Sequence, residues 1–234
     1  MRTLSLVFLG AFLMACAPAP QKAPEEPAAE PTPAGAARPE GATVVLEGPY
    51  ATVTRFGLQP GQAQSVHEGP DRVIYSLNDY ALEWTEGGAE PVEKSWTAGE
   101  VHWHAAGPHA AKNAGEDVAR YLVVARTAEP LPSVEGEAEP DVSAGGHGTL
   151  LFENNNVRVV EVSLEPGQAT PSRPGGHRVI YSLGDYTIRW TEGDAEPNEV
   201  KWEAGEAHWH DPAEHSVENV GQTPARYLVF TFLS

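Results

Sequence analysis

Two short segments of this 234-residue chain repeat the same alternation, His102-Trp103-His104 and His208-Trp209-His210. In a strand, alternation sets both imidazoles of a pair on one face, about 6.6 Å apart along the chain, a spacing from which two side chains can reach one ion. The tryptophan between them points the other way. Alternation alone leaves two arrangements open. If Trp103 and Trp209 face a core, the histidines face outward as hydrogen-bonded or surface groups, toward an inter-repeat or subunit contact. If the histidines face inward, they are available to a metal or a ligand. Strand arginines form a second set of candidates: Arg72 and Arg178, with Arg120 and Arg226 further on. Guanidinium suits an anionic substrate, and it equally suits pairing with carboxylates such as Glu83, Asp79 or Asp185. Tyr75 and Tyr181 share the first arginines' segments and join them as candidate ligand contacts. No glycine-rich phosphate loop opens a helix, and no nucleophile, base and acid stand in an arguable order.

These side chains must be positioned by a duplicated architecture. Residues 43–128 align with 149–234 at a constant offset and without insertion, and 40 of the 86 pairs are identical. Chance does not produce that, so the chain is a tandem repeat. Matched blocks include Arg72-Val73-Ile74-Tyr75-Ser76-Leu77 with 178–183, Trp84-Thr85-Glu86-Gly87 with 190–193, and Ala119-Arg120-Tyr121-Leu122-Val123 with 225–229. All six tryptophans fall in matched pairs, which assigns them to equivalent core positions. Within a repeat the period is two: Val73, Tyr75 and Leu77 share one face of a strand, and Leu82 and Trp84 one face of the next. Turn residues recur every eight to twelve positions, and no segment carries a capped helical stripe. A unit of this size with seven or eight short antiparallel strands is a sandwich or a small barrel. Asn113 and Asn219 each stand two residues before a glycine, where a side-chain amide caps a turn.

The amino terminus reads as an address. Arg2 precedes an apolar run from Leu4 to Met14, too short to span a membrane and of the size of a signal-peptide core. Leu13-Met14-Ala15-Cys16 is similar to the bacterial lipobox, which makes Cys16 the expected site of lipidation and residues 1–15 a removable signal peptide. From 16 to 41 the chain is rich in Pro, Ala and Glu and is expected to be a disordered tether. The acidic segment 129–148 is expected to link the repeats, at 42–128 and 149–234. With 33 acidic against 15 basic residues the net charge is -18, which argues against nucleic acid as a partner. Anchoring then rests on the Cys16 lipid. The expected location is the bacterial cell envelope, on the periplasmic face of the outer membrane if there is one.

The order of motifs resembles the cupin superfamily. Gly61 is followed after five residues by His67, and Gly99, His109 and Asn113 recur as Gly205, His215 and Asn219. The resemblance covers both repeats and implies a bicupin: an all-β chain of two tandem antiparallel jelly-roll barrels. It also implies one divalent transition metal, Fe, Mn, Ni or Zn, held by histidines and a carboxylate. By that resemblance His67, Asp71 and His109 are the candidate ligands of the first barrel. The second motif-one histidine is replaced by Gly69, and no glutamate stands at the expected place. In the second repeat Arg173 and Gly175 replace both motif-one histidines, His215 matches, and His177 stands where the first repeat has Asp71. Arg173 opposes a cation and favours an anion. Should the His-Trp-His histidines face inward, they join His109 or His215 and rebuild a site from the later motif. Three functions are therefore expected to compete: a lipid-anchored binder of a small molecule with degenerate metal sites, a metal-dependent dioxygenase, isomerase or decarboxylase acting through the first barrel, and a structural or interaction role at the cell envelope, for which only the tether speaks. Loss of the motif-one ligands in both copies favours the binder. The two repeats are expected to pack as two subunits of a dimeric single-repeat protein would, and homo-oligomerisation stays open.

Overall fold

The computed structural model describes residues 39–127, 129–132 and 143–233; Cys16, the signal peptide, nearly all of the tether and most of the acidic linker lie outside them. The first repeat forms nine strands: β1 (Ala42–Glu47), β2 (Ala51–Leu58), β3 (Ala63–Gly69), β4 (Arg72–Ser76), β5 (Tyr80–Glu86), β6 (Val92–Trp96), β7 (Val101–His104), β8 (Gly107–Asn113) and β9 (Ala119–Arg126). The second repeats them as β10 (Gly148–Glu153), β11 (Val157–Leu164), β12 (Arg173–Gly175), β13 (Arg178–Ser182), β14 (Tyr186–Glu192), β15 (Asn198–Trp202), β16 (Ala207–His210), β17 (Ala213–Asn219) and β18 (Ala225–Phe232). No α-helix occurs among the described residues; a 3-10 turn at Ala144–Gly146 precedes β10.

Each repeat folds into a five-stranded and a four-stranded antiparallel sheet, β1-β2-β9-β4-β7 over β3-β8-β5-β6 in the first and β10-β11-β18-β13-β16 over β12-β17-β14-β15 in the second. The strand order interleaves distant segments, as in a jelly roll. Nine strands replace the expected seven or eight because β1 and β10 hide from period counting. Their apolar residues are consecutive, and a bulge at Val44/Leu46 recurs at Leu150/Phe152, so the alternation that marks a strand is broken there.

The five-stranded sheets are buried on both faces. In β4 all five residues are buried: Ile74 faces the barrel interior with Phe56, Leu82, Trp84 and Tyr121, while Val73 and Tyr75 face the other way. On that outer face they join Leu122 and Val124 and meet Val159, Val179, Leu228 and Phe230 of the second repeat in one apolar cluster. The two barrels thus pack back to back through their larger sheets. Trp103 and Trp209 belong to this layer, whereas Trp84, Trp96, Trp190 and Trp202 belong to the barrel interiors. The Asn113 amide donates to Leu58 O and Asp117 O and accepts from Gly115 N; Asn219 makes the same three bonds to Leu164 O, Thr223 O and Gly221 N.

Candidate functional site

With Trp103 and Trp209 in the layer between barrels, strand alternation turns both histidine pairs inward. In the first barrel His102 stacks on Trp96 with ring centroids 4.8 Å apart, and His104 lies 4.4 Å from Trp84. His109 stacks on the same indole at 5.0 Å, and His67 lies 4.2 Å from His109. The second barrel repeats the pattern: His208 on Trp202 at 3.9 Å, His210 on Trp190 at 4.7 Å and His215 on Trp190 at 4.8 Å. Burial among aromatic rings disfavours the charged imidazole. It pushes His102, His109 and His208 down to about 4 and His104, His210 and His215 to about 3. At neutral pH all six are uncharged.

The cation inside each barrel is an arginine. Arg72 and Arg178 start β4 and β13 with the inward parity of Ile74 and Ile180, so each guanidinium is carried to the barrel axis. Arg178 is 2% exposed. Its Nη1 donates to Gly176 O at 2.8 Å and Asp211 O at 3.3 Å, and its Nη2 lies 3.4 Å from His215 Nδ1. Arg72 makes the equivalent bonds to Pro70 O and Ala105 O. Each guanidinium lies over a tryptophan, Trp84 at 5.8 Å and Trp190 at 5.7 Å, which places part of its charge against the ring quadrupole. Burial, followed by the nearby Arg173, lowers the Arg178 pKa to about 10.

Gly69 and Gly175 make room for this arrangement. A Cβ on Gly69 would stand 2.6 Å from His109 Cε1 and 2.8 Å from Arg72 Nη1; one on Gly175 would stand 2.6 Å from His215 Cε1. A side chain at either position would collide with the inward arginine and with the histidine of the facing strand.

The structure brings His67 and His109 together but leaves Asp71 outside. The Asp71 carboxylate accepts from Ala106 N at 2.7 Å on the exposed rim, because Asp71 shares the outward parity of Val73. His177 is likewise outside the barrel, stacked on Trp209 at 5.8 Å with Nε2 2.9 Å from Pro132 O. Tyr75 and Tyr181 lie in the layer between barrels. Arg226 pairs with Glu161 at 2.6 Å, while Arg120 lies along a groove with Arg55 and Tyr181. Asp79 and Asp185 accept from the amides of Ala98 and Ala204, and Glu83 pairs with Lys112. This donor set does not fit a divalent metal. A guanidinium holds the space beside the imidazoles, and among the described residues no three His, Cys, Asp or Glu side chains are placed to hold one metal ion.

The second barrel holds a cavity of about 220 Å³. Its wall includes Ile180, Tyr186, Ile188, Trp190 and Trp202, the three histidines, Arg173, Arg178 and Tyr227, and no Asp or Glu. Three of these side chains carry a buried atom without a hydrogen-bond partner: Arg173 Nη1, His208 Nδ1 and Tyr227 Oη. In the first barrel the matching tyrosine has a partner. Phe56, where the second repeat has Val162, stacks on Tyr121 at 5.1 Å, and the Tyr121 hydroxyl bonds Gln64 Oε1 at 3.4 Å. Thr170 stands at the position of Gln64 and uses its hydroxyl to accept from Val217 N, so it does not serve the Tyr227 hydroxyl as Gln64 serves Tyr121. Sequence reasoning missed Tyr227, Trp190 and Trp202 as cavity residues. The signal lay in the unmatched positions 56/162 and 64/170 rather than in the matched blocks.

No protein-family model matches the chain, and no curated protein matches its sequence. Among solved structures, the W96Y variant of Bacillus subtilis oxalate decarboxylase superposes with a TM-score of 0.59 at 16% identity, covering 79% of this chain and 69% of that one. A study of the Mn(II) centres of the same enzyme gives a TM-score of 0.57 at 16% identity, over 82% and 75%. Lactobacillus farciminis oxalate decarboxylase in its formate complex gives 0.56 at 13% identity, over 78% and 76%. At this identity the likeness is one of fold, and the fold of this chain is the bicupin fold, two antiparallel jelly-roll barrels in tandem.

Proposed function

We propose that this chain is a lipid-anchored protein of the bacterial cell envelope that binds a small molecule inside its second barrel, without metal-dependent catalysis. The observation that carries the reading is the buried cavity lined by Arg173 and Arg178. A concave, largely apolar pocket with a few convergent polar groups is the usual form of a small-molecule site. The guanidinium of Arg178 stands beside His215 in the space a metal would need. The anchor is supported by the lipobox ending in Cys16 and by the Pro-, Ala- and Glu-rich spacer after it. The periplasmic face of an outer membrane is the proposed location. Replacement of Cys16 by Ser is expected to move the protein from the membrane to the soluble fraction; retention in the membrane defeats the anchor.

The closeness of His67 to His109 favours a second reading, a metal-dependent enzyme acting through the first barrel. Elemental analysis of the full-length chain, purified without chelator, separates the two. The binder reading expects less than about 0.1 equivalent of Fe, Mn, Ni or Zn, since two imidazoles beside a guanidinium form a weak site. A stoichiometric metal that disappears in His109→Ala, together with metal-dependent consumption of oxalate, overturns it.

A further inference from the structure

Resting on the reading of the second barrel as a small-molecule site, we propose that its ligand is an organic carboxylate with a compact apolar body, clasped at the carboxylate by Arg173 and the Tyr227 hydroxyl.

Charge is the first argument. Arg173 is 7% and Arg178 2% exposed, and both line a cavity whose wall carries no acidic side chain. Two buried guanidinia without a buried counter-ion are a costly arrangement, which an entering anion relieves. Arg178 is already committed to two backbone carbonyls and to His215. Arg173 is not: its Nη1 is buried without a partner. Tyr227, 4% exposed, ends in a buried hydroxyl with no partner at normal hydrogen-bond geometry, and Arg173 lies close beside it. Both groups line the same cavity, and Arg173 opposes the rise that burial causes in the Tyr227 pKa. A guanidinium and a phenol O–H, both donors aimed into one cavity, match the two oxygens of a carboxylate.

Shape is the second argument. The remaining wall is apolar and aromatic: Val160, Ile180, Ile188, Val217, Trp190 and Trp202. A cavity of about 220 Å³ has the room of roughly seven waters, enough for a short alkyl chain or one ring behind the carboxylate. An inorganic anion would leave that apolar surface unused. The three histidines, neutral at pH 7, add no positive charge and let the arginines set the sign of the ligand.

The test titrates the full-length chain with benzoate and hexanoate, and in parallel with benzamide and hexanamide, following tryptophan emission and the melting temperature. At least one carboxylate is expected to bind with one site per chain and at least about tenfold more tightly than its amide. Arg173→Met should remove that preference while leaving the weak amide binding in place, and Arg173→Lys should restore part of it. Tyr227→Phe should weaken the carboxylate alone. Where Arg173→Met does not fold, the lysine and phenylalanine variants decide the outcome. Equal binding of acid and amide overturns the carboxylate proposal and leaves the pocket reading standing. Absence of binding by all four probes overturns both and marks the cavity as one that holds water only.

Discussion

The two barrels share 40 of 86 aligned residues and almost every strand, yet they treat the same inward tyrosine, Tyr121 and Tyr227, differently. In the first, Phe56 fills space against Tyr121 and Gln64 accepts the tyrosine hydroxyl. In the second, Val162 withdraws the ring, Thr170 turns its hydroxyl to the backbone, and Arg173 brings a second cation inward. Everything that builds the frame is common to both: the inward arginine, the glycine that admits it, the stacked histidines and the asparagine-capped turn. The difference teaches that one frame can hold either a tyrosine satisfied by a neighbouring amide or one that faces a charged cavity.

The largest expected effect tests whether the copies are separable at all. Phe230 is fully buried in the layer between barrels, and Phe230→Ala is expected to cost about 3–5 kcal/mol and to lower Tm by about 10 °C. Because that layer belongs to both barrels, calorimetry should still show one transition. Two resolved transitions would mean that the barrels are stable alone and that the comparison is between independent domains.

Much of this frame was readable in the residues. The gapless repeat fixed two equivalent units, and the period of two in 72–77 and 82–84 fixed strands rather than helices. What alternation cannot give is which face is which when both faces are buried, as they are throughout β4 and β13. The orientation of the His-Trp-His segments depends on the packing of one barrel on the other, a contact between residues more than a hundred positions apart. Asp71 illustrates the same point. Counting residues from a motif makes it a ligand, but the strand parity that carries Arg72 and Ile74 inward necessarily carries Asp71 and Val73 outward. Tyr227 was invisible for a different reason: its match, Tyr121, is conventional, and only the partner lost at position 170 distinguishes it.

Acid should affect both barrels, and the second more. The six inward histidines have folded-state pKa values of about 3 to 4, below the ordinary value of 6.5. In the window between, the unfolded chain binds protons that the folded chain excludes, so stability falls as pH drops from about 6.5 toward 4 and is flat above 7. Tm is expected to drop by about 5 °C or more between pH 7 and pH 5. In the second barrel His210 and His215 face Arg178, and His215 faces Arg173 as well. His215→Gln should therefore recover more acid stability than His109→Gln. A Tm independent of pH over this range, or equal recovery by the two variants, would contradict the assignment of unequal interior charge.

The smallest expected change in stability is the most informative about function. Val162→Phe with Thr170→Gln transplants the two residues that close the first barrel into the second. The added ring enters an existing cavity of about 220 Å³ rather than a filled core, so overpacking strain is small, and the introduced amide offers Tyr227 the partner that Tyr121 has in Gln64. The net effect on unfolding is expected to lie within about 1.5 kcal/mol of zero, measured by chemical denaturation. Carboxylate binding should nevertheless be lost, because the volume and the free hydroxyl go together. The reciprocal pair, Phe56→Val with Gln64→Thr, should cost about 1–3 kcal/mol by opening a cavity and should not create binding, since His67 and not an arginine stands at the position of Arg173. If the reciprocal pair does bind benzoate or hexanoate, then Arg72 alone suffices as the cation, and the distinction between the barrels reduces to volume.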